Sequence, residues 1–231
     1  GDIHGYHDQL IRLQKKIEDD AKLSKGKKLL IYLGDYIDRG PAVKDCIQSL
    51  IDFKPPNFTV VYLLGNHEQM LLDFLADKKS SLYLWINNGG RETLESYGNQ
   101  MDQYIDESMQ LEFDEKIRDN FLSFLPETHK KFFYELKLSY EWQNYFFVHA
   151  GIDSSLPLSK QTKETMLWTR SEKFLNSNSP FEKMIIHGHT PSKKIIQKSN
   201  RLCLDTGVFF SGTLSGAKIN SSNKIEFFST H

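Results

Sequence analysis

Cysteine is scarce in this chain: there are two in 231 residues, Cys46 and Cys203. That excludes a disulfide-stapled scaffold and suits a reducing compartment, so a cytoplasmic setting is expected. An excess of charge of either sign is also missing. Lys plus Arg number 29 and Asp plus Glu 30, for a net charge of −1. No basic stripe runs along the sequence, which removes nucleic acid as an expected partner. No apolar stretch reaches the ~18 residues that a membrane-crossing helix needs, and no charged-then-apolar leader opens the chain, so no membrane partner is expected. There are no internal repeats and no low-complexity segment, and nothing suggests an obligate dimer. A monomer is expected.

What is present is a 39% hydrophobic composition, enough for one core-bearing domain over residues 1–231 with at most a small insert. Leu10, Leu13 and Ile17 recur at helical spacing and predict a helix over 8–20, with Asp8 able to cap it. Lys28–Leu33 reads as a short buried strand, Ala42–Phe53 as a helix ended by Pro55-Pro56-Asn57, Phe58–Leu64 as a second buried strand, and Gln69–Ala76 as a helix. This strand–helix alternation predicts α/β organisation. Residues 77–135 lack strong strands and read as a mainly helical insert, with a turn at Asn87-Asn88-Gly89-Gly90 and an amphipathic helix over Phe113–Phe124. Phe132–Tyr140 and Asn144–Val148 predict a β-hairpin, and 183–231 predicts short strands joined by Gly and Ser turns. Cys203 lies in an apolar run and is expected in the core.

Metal-binding residue types recur just after these apolar runs. Gly1-Asp2-Ile3-His4-Gly5 opens the chain. Gly34-Asp35-Tyr36-Ile37-Asp38-Arg39-Gly40 follows Leu29–Leu33, and Gly65-Asn66-His67-Glu68 follows Val60–Leu64. His149-Ala150-Gly151 follows Tyr145–Val148, and Gly188-His189-Thr190 follows Met184–Ile186. Strands ending in Asp, His and Asn place oxygen and imidazole ligands at one sheet edge, the pattern of a two-metal site. Asp2 and His4, two apart, would point the same way on an extended segment. Asp35 offers a carboxylate able to bridge two ions, Asn66 a carbonyl oxygen, and His149 and His189 imidazoles. Taken singly, a histidine after a strand is usually a hydrogen-bonded core residue, and an Asp before a turn usually an Asx-turn or helix cap. Five matches in order, four of them after visible strands, outweigh those readings. The first motif alone has no apolar run before it, and the expectation is that the sequence begins after a strand of the full protein.

Together these motifs resemble the signature of the phosphoprotein phosphatases, metal-dependent serine/threonine phosphatases of the calcineurin-like metallophosphoesterase fold. Trp85-Ile86-Asn87-Asn88-Gly89-Gly90, Thr93–Gly98 and Leu167-Trp168-Thr169-Arg170 resemble the bacterial branch, so the likeness spans nearly the whole chain. It implies a two-sheet β-sandwich flanked by helices, with metals at the strand C-terminal edge. It also implies that Asp2, His4 and Asp35 hold one divalent ion, and that Asp35, Asn66, His149 and His189 hold a second, with Asp35 bridging. Manganese is expected first, with iron or zinc as alternatives, because the mixed donor set suits all three. His187 is expected to support the site and not to ligate.

The implied reaction is hydrolysis of phosphoserine or phosphothreonine in a phosphoprotein or phosphopeptide, by in-line attack of a metal-bridging hydroxide. His67 would donate the leaving-group proton with Asp38 as its partner, although Asp38 could instead cap the helix near Pro41. Arg39 and Arg170 would grip the phosphate. The nearest alternative is a symmetrical dinucleoside-tetraphosphate hydrolase, whose motif tends to Asn-His-Asp where this chain has Asn66-His67-Glu68. A non-catalytic phosphoprotein-binding pseudophosphatase would have lost a ligand or the proton donor, and neither is lost here. Asp205-Thr206-Gly207 occurs once, whereas an aspartic protease needs two such carboxylates, so it reads as a strand end and turn near the rim.

Overall fold

Side-chain alternation along the short strands decides the layering. The computed structural model describes residues 1–78, 81–99 and 110–231. Strand β1 (Lys28–Tyr32) pairs in parallel with β2 (Phe58–Tyr62). Strands β3 (Ser139–Trp142), β4 (Tyr145–Val148), β5 (Met184–His187), β6 (Ile196–Gln197) and β7 (Arg201–Cys203) form a sheet of order β3-β4-β5-β7-β6. Within it β4, β5 and β7 are mutually parallel. Strands β8 (Ser215–Ile219) and β9 (Ile225–Ser229) form an antiparallel pair.

Successive residues on a strand face opposite ways, and strands β1, β2, β4 and β5 therefore each feed two cores. Leu29 and Ile31 of β1, Val61 of β2, Tyr145 and Phe147 of β4, Ile186 of β5 and Ala217 of β8 meet in a core between the sheets. Tyr32 and Tyr62 face the other way, toward helices α1 (His7–Ala21), α2 (Val43–Asp52) and α3 (Asn66–Leu75). Phe146, Val148 and Ile185 face a third core with Met166 of α8 (Lys163–Trp168) and Phe174 of α9 (Glu172–Leu175). Sheets inside and helices outside give the expected mixed α/β layering, with the described strands hydrogen-bonded as three sheets where two were expected. Both cysteines are free and buried.

Several local expectations are corrected. Helix α3 begins at Asn66, not Gln69, because Glu68 accepts from the Gly65 N–H at 3.0 Å and closes the helix start. Asp8 does not cap α1; Tyr6 occupies that position and Asp8 lies in the first turn, where its charge favours the helix dipole. The expected turn at Asn87–Gly90 is present as a kink at Gly89, within Ile86–Gly90 between α4 (Ser81–Trp85) and α5 (Arg91–Ser96). Gly89 there has φ 100°, and its carbonyl accepts from the Arg39 N–H at 3.0 Å. Phe132–Tyr134 belong to helix α7 (Glu127–Tyr134), whose buried His129, Phe132 and Phe133 recur at helical spacing, so the hairpin starts only at Ser139. Helix α6 (Gln110–Phe124) contains the expected amphipathic helix. Positions 79–80 and 100–109 of the expected insert lie outside the described residues.

Four of the parallel strands deliver a motif at the carboxyl end: β1 leads to Asp35, β2 to Asn66, β4 to His149 and β5 to His189. Open α/β sheets place ligands at that edge. The α10 turn (Val208–Ser211), set between left-handed Gly207 and Gly212, adds Phe209 beside it.

Candidate metal centre

Asp35 stands between two clusters of possible ligands, His4–Asp35–His67 and Asp35–His149–His189. Its Oδ2 lies 3.7 Å from His4 Nε2 and 3.8 Å from His67 Nε2, and its Oδ1 lies 3.3 Å from His149 Nε2. One carboxylate thus turns one oxygen to each cluster. Burial alone would raise its pKa, but His149 and His67 outweigh that and hold the carboxyl well below the usual range.

The imidazole tautomers follow from their carbonyl partners, since a carbonyl only accepts. His4 Nδ1–H donates to Ile37 O at 2.9 Å, and His149 Nδ1–H donates to Leu33 O at 2.9 Å. Each therefore turns Nε2 inward, and the neutral His4 presents a bare lone pair there. His149 Nε2 faces Asn66 Oδ1 at 2.9 Å and His189 Nδ1 at 3.2 Å. Three polar atoms crowded this way need a positive charge among them, which a proton on His149 or a metal ion can supply. Burial lowers His4 to about 3 and His189 to about 2, keeping both neutral. His149 is pushed to about 9, because Asp35 outweighs burial.

His67 and Asp38 form a dyad. His67 Nδ1 lies 2.6 Å from Asp38 Oδ2, and both residues are buried. Trp85 Nε1–H reaches both Asp38 oxygens at 3.0 Å, and Thr93 Oγ1–H donates to Oδ1 at 2.5 Å. Asp38 therefore does not cap α2. Burial opposes charge on His67, yet Asp35 and Asp38 raise its pKa. Arg39 Nη2 donates to His67 Nε2 at 3.1 Å and Nη1 to His4 Nε2 at 3.0 Å, and its guanidinium lies 4.6 Å from the Phe209 ring centre.

The remaining expected residues are placed unevenly. Asp2 joins neither three-residue cluster; its Oδ2 accepts from the His189 N–H at 2.9 Å, and its Oδ1 is buried without a partner. His4 has φ 47°, so Asp2 and His4 reach the site through a turn and not by strand alternation. Arg170 is exposed and donates from Nη2 to His189 O at 3.0 Å. His187 joins neither cluster: Nδ1–H donates to Gly188 O at 3.0 Å, and Nε2 accepts from Arg201 at 3.1 Å. Asp205 closes a turn by accepting from the Gly207 N–H at 2.8 Å.

Backbone strain concentrates here. Asp35, Asp38, Arg39 and His189 have φ of 54°, 69°, 67° and 62°, a region that costs a non-glycine residue about 1–2 kcal/mol each. Sequence reasoning also missed the support given to Asp38 by Trp85 and Thr93. Their only signal was the Trp85–Gly98 stretch that carried the bacterial-branch resemblance.

The residues fit a pair of divalent cations. The donors are hard oxygens and neutral imidazoles, and Asp2 Oδ1 and His189 Nε2 are buried without protein partners. A family model described as calcineurin-like phosphoesterase matches residues 1–212. Serine/threonine-protein phosphatase 1 of Salmonella typhimurium is 28% identical over 226 residues, 95% of this chain and 89% of that protein. The asymmetrical bis(5'-nucleosyl)-tetraphosphatase PrpE of Anoxybacillus flavithermus is 25% identical over 248 residues, covering 100% of this chain and 93% of its own. A metallophosphoesterase structure from Sphaerobacter thermophilus superposes with a TM-score of 0.50 at 13% identity, covering 99% of this chain and 84% of that one.

Proposed function

The chain belongs to the calcineurin-like phosphoesterase family, and from that premise we propose that it is a binuclear-metal protein phosphatase acting on phosphoserine and phosphothreonine in proteins or peptides. The observation that carries this reading is Asp35, whose two oxygens face two separate ligand clusters beside the His67–Asp38 dyad. His4 and Asp35, with Asp2 nearby, would hold one ion, and Asp35, Asn66, His149 and His189 the other. Two such ions, manganese first among the candidates, would supply an activated water and neutralise charge on the phosphoryl oxygens.

The chain's own residues supply the rest. Arg39 spends its two Nη groups on His4 and His67. A phosphate is a better acceptor for that fork than an imidazole, so bound substrate draws Arg39 away and frees His67 Nε2 to carry a proton. Asp38, held by Trp85 and Thr93, fixes the His67 tautomer and stabilises its charged form. His67 then donates from Nε2 to the departing serine or threonine oxygen. Arg170, at the opposite cluster, adds a second cation toward the phosphate.

Support for a protein substrate comes from the phosphatase relatives, such as the Salmonella protein. The tetraphosphatase relatives favour a second reading, a dinucleoside-polyphosphate hydrolase using the same centre. Glu68 does not separate the two by contact, because both its oxygens are taken by backbone N–H groups. Two free, buried cysteines support a reducing, cytoplasmic setting, and among the described residues no helix is long and apolar enough to cross a membrane.

The deciding experiment measures turnover of a phosphoserine peptide and of diadenosine tetraphosphate by one preparation, before and after chelation and manganese return. The peptide should be preferred, with activity lost on chelation and restored by manganese. Preference for the dinucleotide overturns the protein-phosphatase reading, and activity surviving in metal-free protein overturns the two-metal chemistry.

A further inference from the structure

Three neighbouring backbone N–H groups just beyond β1, those of Asp35, Tyr36 and Ile37, all point to one buried side chain from another element. Glu68, fully buried on α3, accepts from Asp35 N–H at 2.9 Å and Gly65 N–H at 3.0 Å through Oε2. Its Oε1 accepts from Tyr36 N–H at 2.7 Å and Ile37 N–H at 3.2 Å. We infer that Glu68 is a positioning residue for Asp35: by clamping two loops through four N–H groups, it holds the turn that presents one Asp35 oxygen to each ligand cluster. The inference rests on reading Asp35 as the bridging ligand.

Three observations carry it. The first is strain. Asp35 is left-handed at φ 54°, a conformation that a non-glycine residue does not keep without outside support. The second is reach. A helix cap alone would need only the bond to Gly65. The other three bonds cross from α3 to the end of β1, so Glu68 sets the spacing between the loop carrying Asp35 and the one carrying Asn66 and His67. The packing there leaves no slack, since a Cβ on Gly65 would collide with both Asp35 Oδ1 and Glu68 Oε2. The third is chemistry. An ionised carboxylate is acceptor-only and can take two N–H groups on each oxygen. A proton on either oxygen would face an N–H, so the geometry accommodates the ionised form. A glutamine fails for the same reason, because whichever way its amide is turned, an NH2 group meets two donors. A ligand role for Glu68 itself is excluded by those four bonds and by its absence from both clusters.

The side chain opposite completes the clamp. Tyr36, also fully buried, donates its phenol O–H to Leu63 O at 2.7 Å, tying the same turn to the end of β2. The turn is thus pinned by its backbone from α3 and by its side chain from β2.

The test is calorimetric titration with Mn2+ of wild type, Glu68→Gln and Glu68→Asp, with hydrogen exchange at the amides of residues 35–37. Glu68→Gln should weaken Mn2+ binding roughly 10- to 100-fold, the usual effect of losing a residue that orients a ligand. Its 35–37 amides should exchange faster, and its kcat at fixed Mn2+ should drop and partly recover with excess metal, at unchanged KM. Glu68→Asp keeps an acceptor-only group and should recover part of the Mn2+ affinity. A folded Glu68→Gln that binds Mn2+ as wild type does, with lower thermal stability only, overturns the inference and leaves Glu68 a helix cap. If Glu68→Gln does not fold, Glu68→Asp decides, and unchanged Mn2+ affinity in it overturns the inference equally. Wild type that binds no Mn2+ would instead sink the two-metal reading, and this inference with it.

Discussion

His67 and Asp38 meet at 2.6 Å through Nδ1 and Oδ2, with neither side chain reaching solvent. That contact leaves the other nitrogen, Nε2, turned toward Asp35 and held by Arg39. A residue held this way is suited to donate a proton where charge develops on a leaving oxygen. His67→Asn should therefore slow hydrolysis of a phosphoserine peptide by about 10²-fold or more. Nitrophenyl phosphate, whose leaving group needs little protonation, should lose much less, and the metal content should stay unchanged. Equal losses on the two esters would remove His67 from the acid role.

Arg39 acts through a fork that an ammonium cannot copy. Arg39→Lys should raise KM for phosphoserine peptide roughly 10- to 100-fold, the value of one lost charge-assisted hydrogen bond. Phosphate inhibition should weaken in parallel. A KM within twofold of wild type would show that Arg39 does not meet the phosphate.

Gly188 bears on Asp2. A Cβ there would strike Asp2 Oδ1, the buried oxygen without a protein partner, and Gly188 has no positive φ to forbid alanine. Gly188→Ala should fold normally but lower the bound metal from two ions toward one, as read by elemental analysis. Two ions retained at full occupancy would place Asp2 outside the centre.

His129 should give a measurable pH dependence of stability. It is buried, accepts from Tyr97 O–H at 2.7 Å on Nδ1, and donates from Nε2 to Gln48 Oε1 at 3.0 Å. Burial lowers its pKa below the ordinary value of about 6.5. The unfolded chain then takes up a proton before the folded one does. The contribution is at full value above pH ~6.5 and is lost as pH falls below it. His129→Gln removes that loss, so the gap in Tm between wild type and variant should narrow from pH 7.5 to pH 5. A constant gap would show that His129 titrates alike in both states.

The strands and the residue types at their ends were legible because each rests on local chemistry. Leu29–Leu33 and Val60–Leu64 are apolar enough to be buried on both faces, and Asp35 and Asn66 follow them directly. Phe132 and Phe133 misled because aromatic residues favour strands by composition, while their partners here lie across a helical core. For Asp38 the sequence favoured the dyad but left a helix cap open, since the choice depends on Trp85 and Thr93, 47 and 55 positions away.

What the sequence alone determined is the donor set: which carboxylates, imidazoles and guanidinium groups the chain owns, and which strands carry them. Only the tertiary structure decided how those donors face one another. Left-handed turns at Asp35, Asp38 and His189 and the four bonds to Glu68 are set by contacts between distant segments. No local preference predicts them, because each of these backbone conformations is unfavourable on its own and persists only where the surrounding packing and hydrogen bonds hold it.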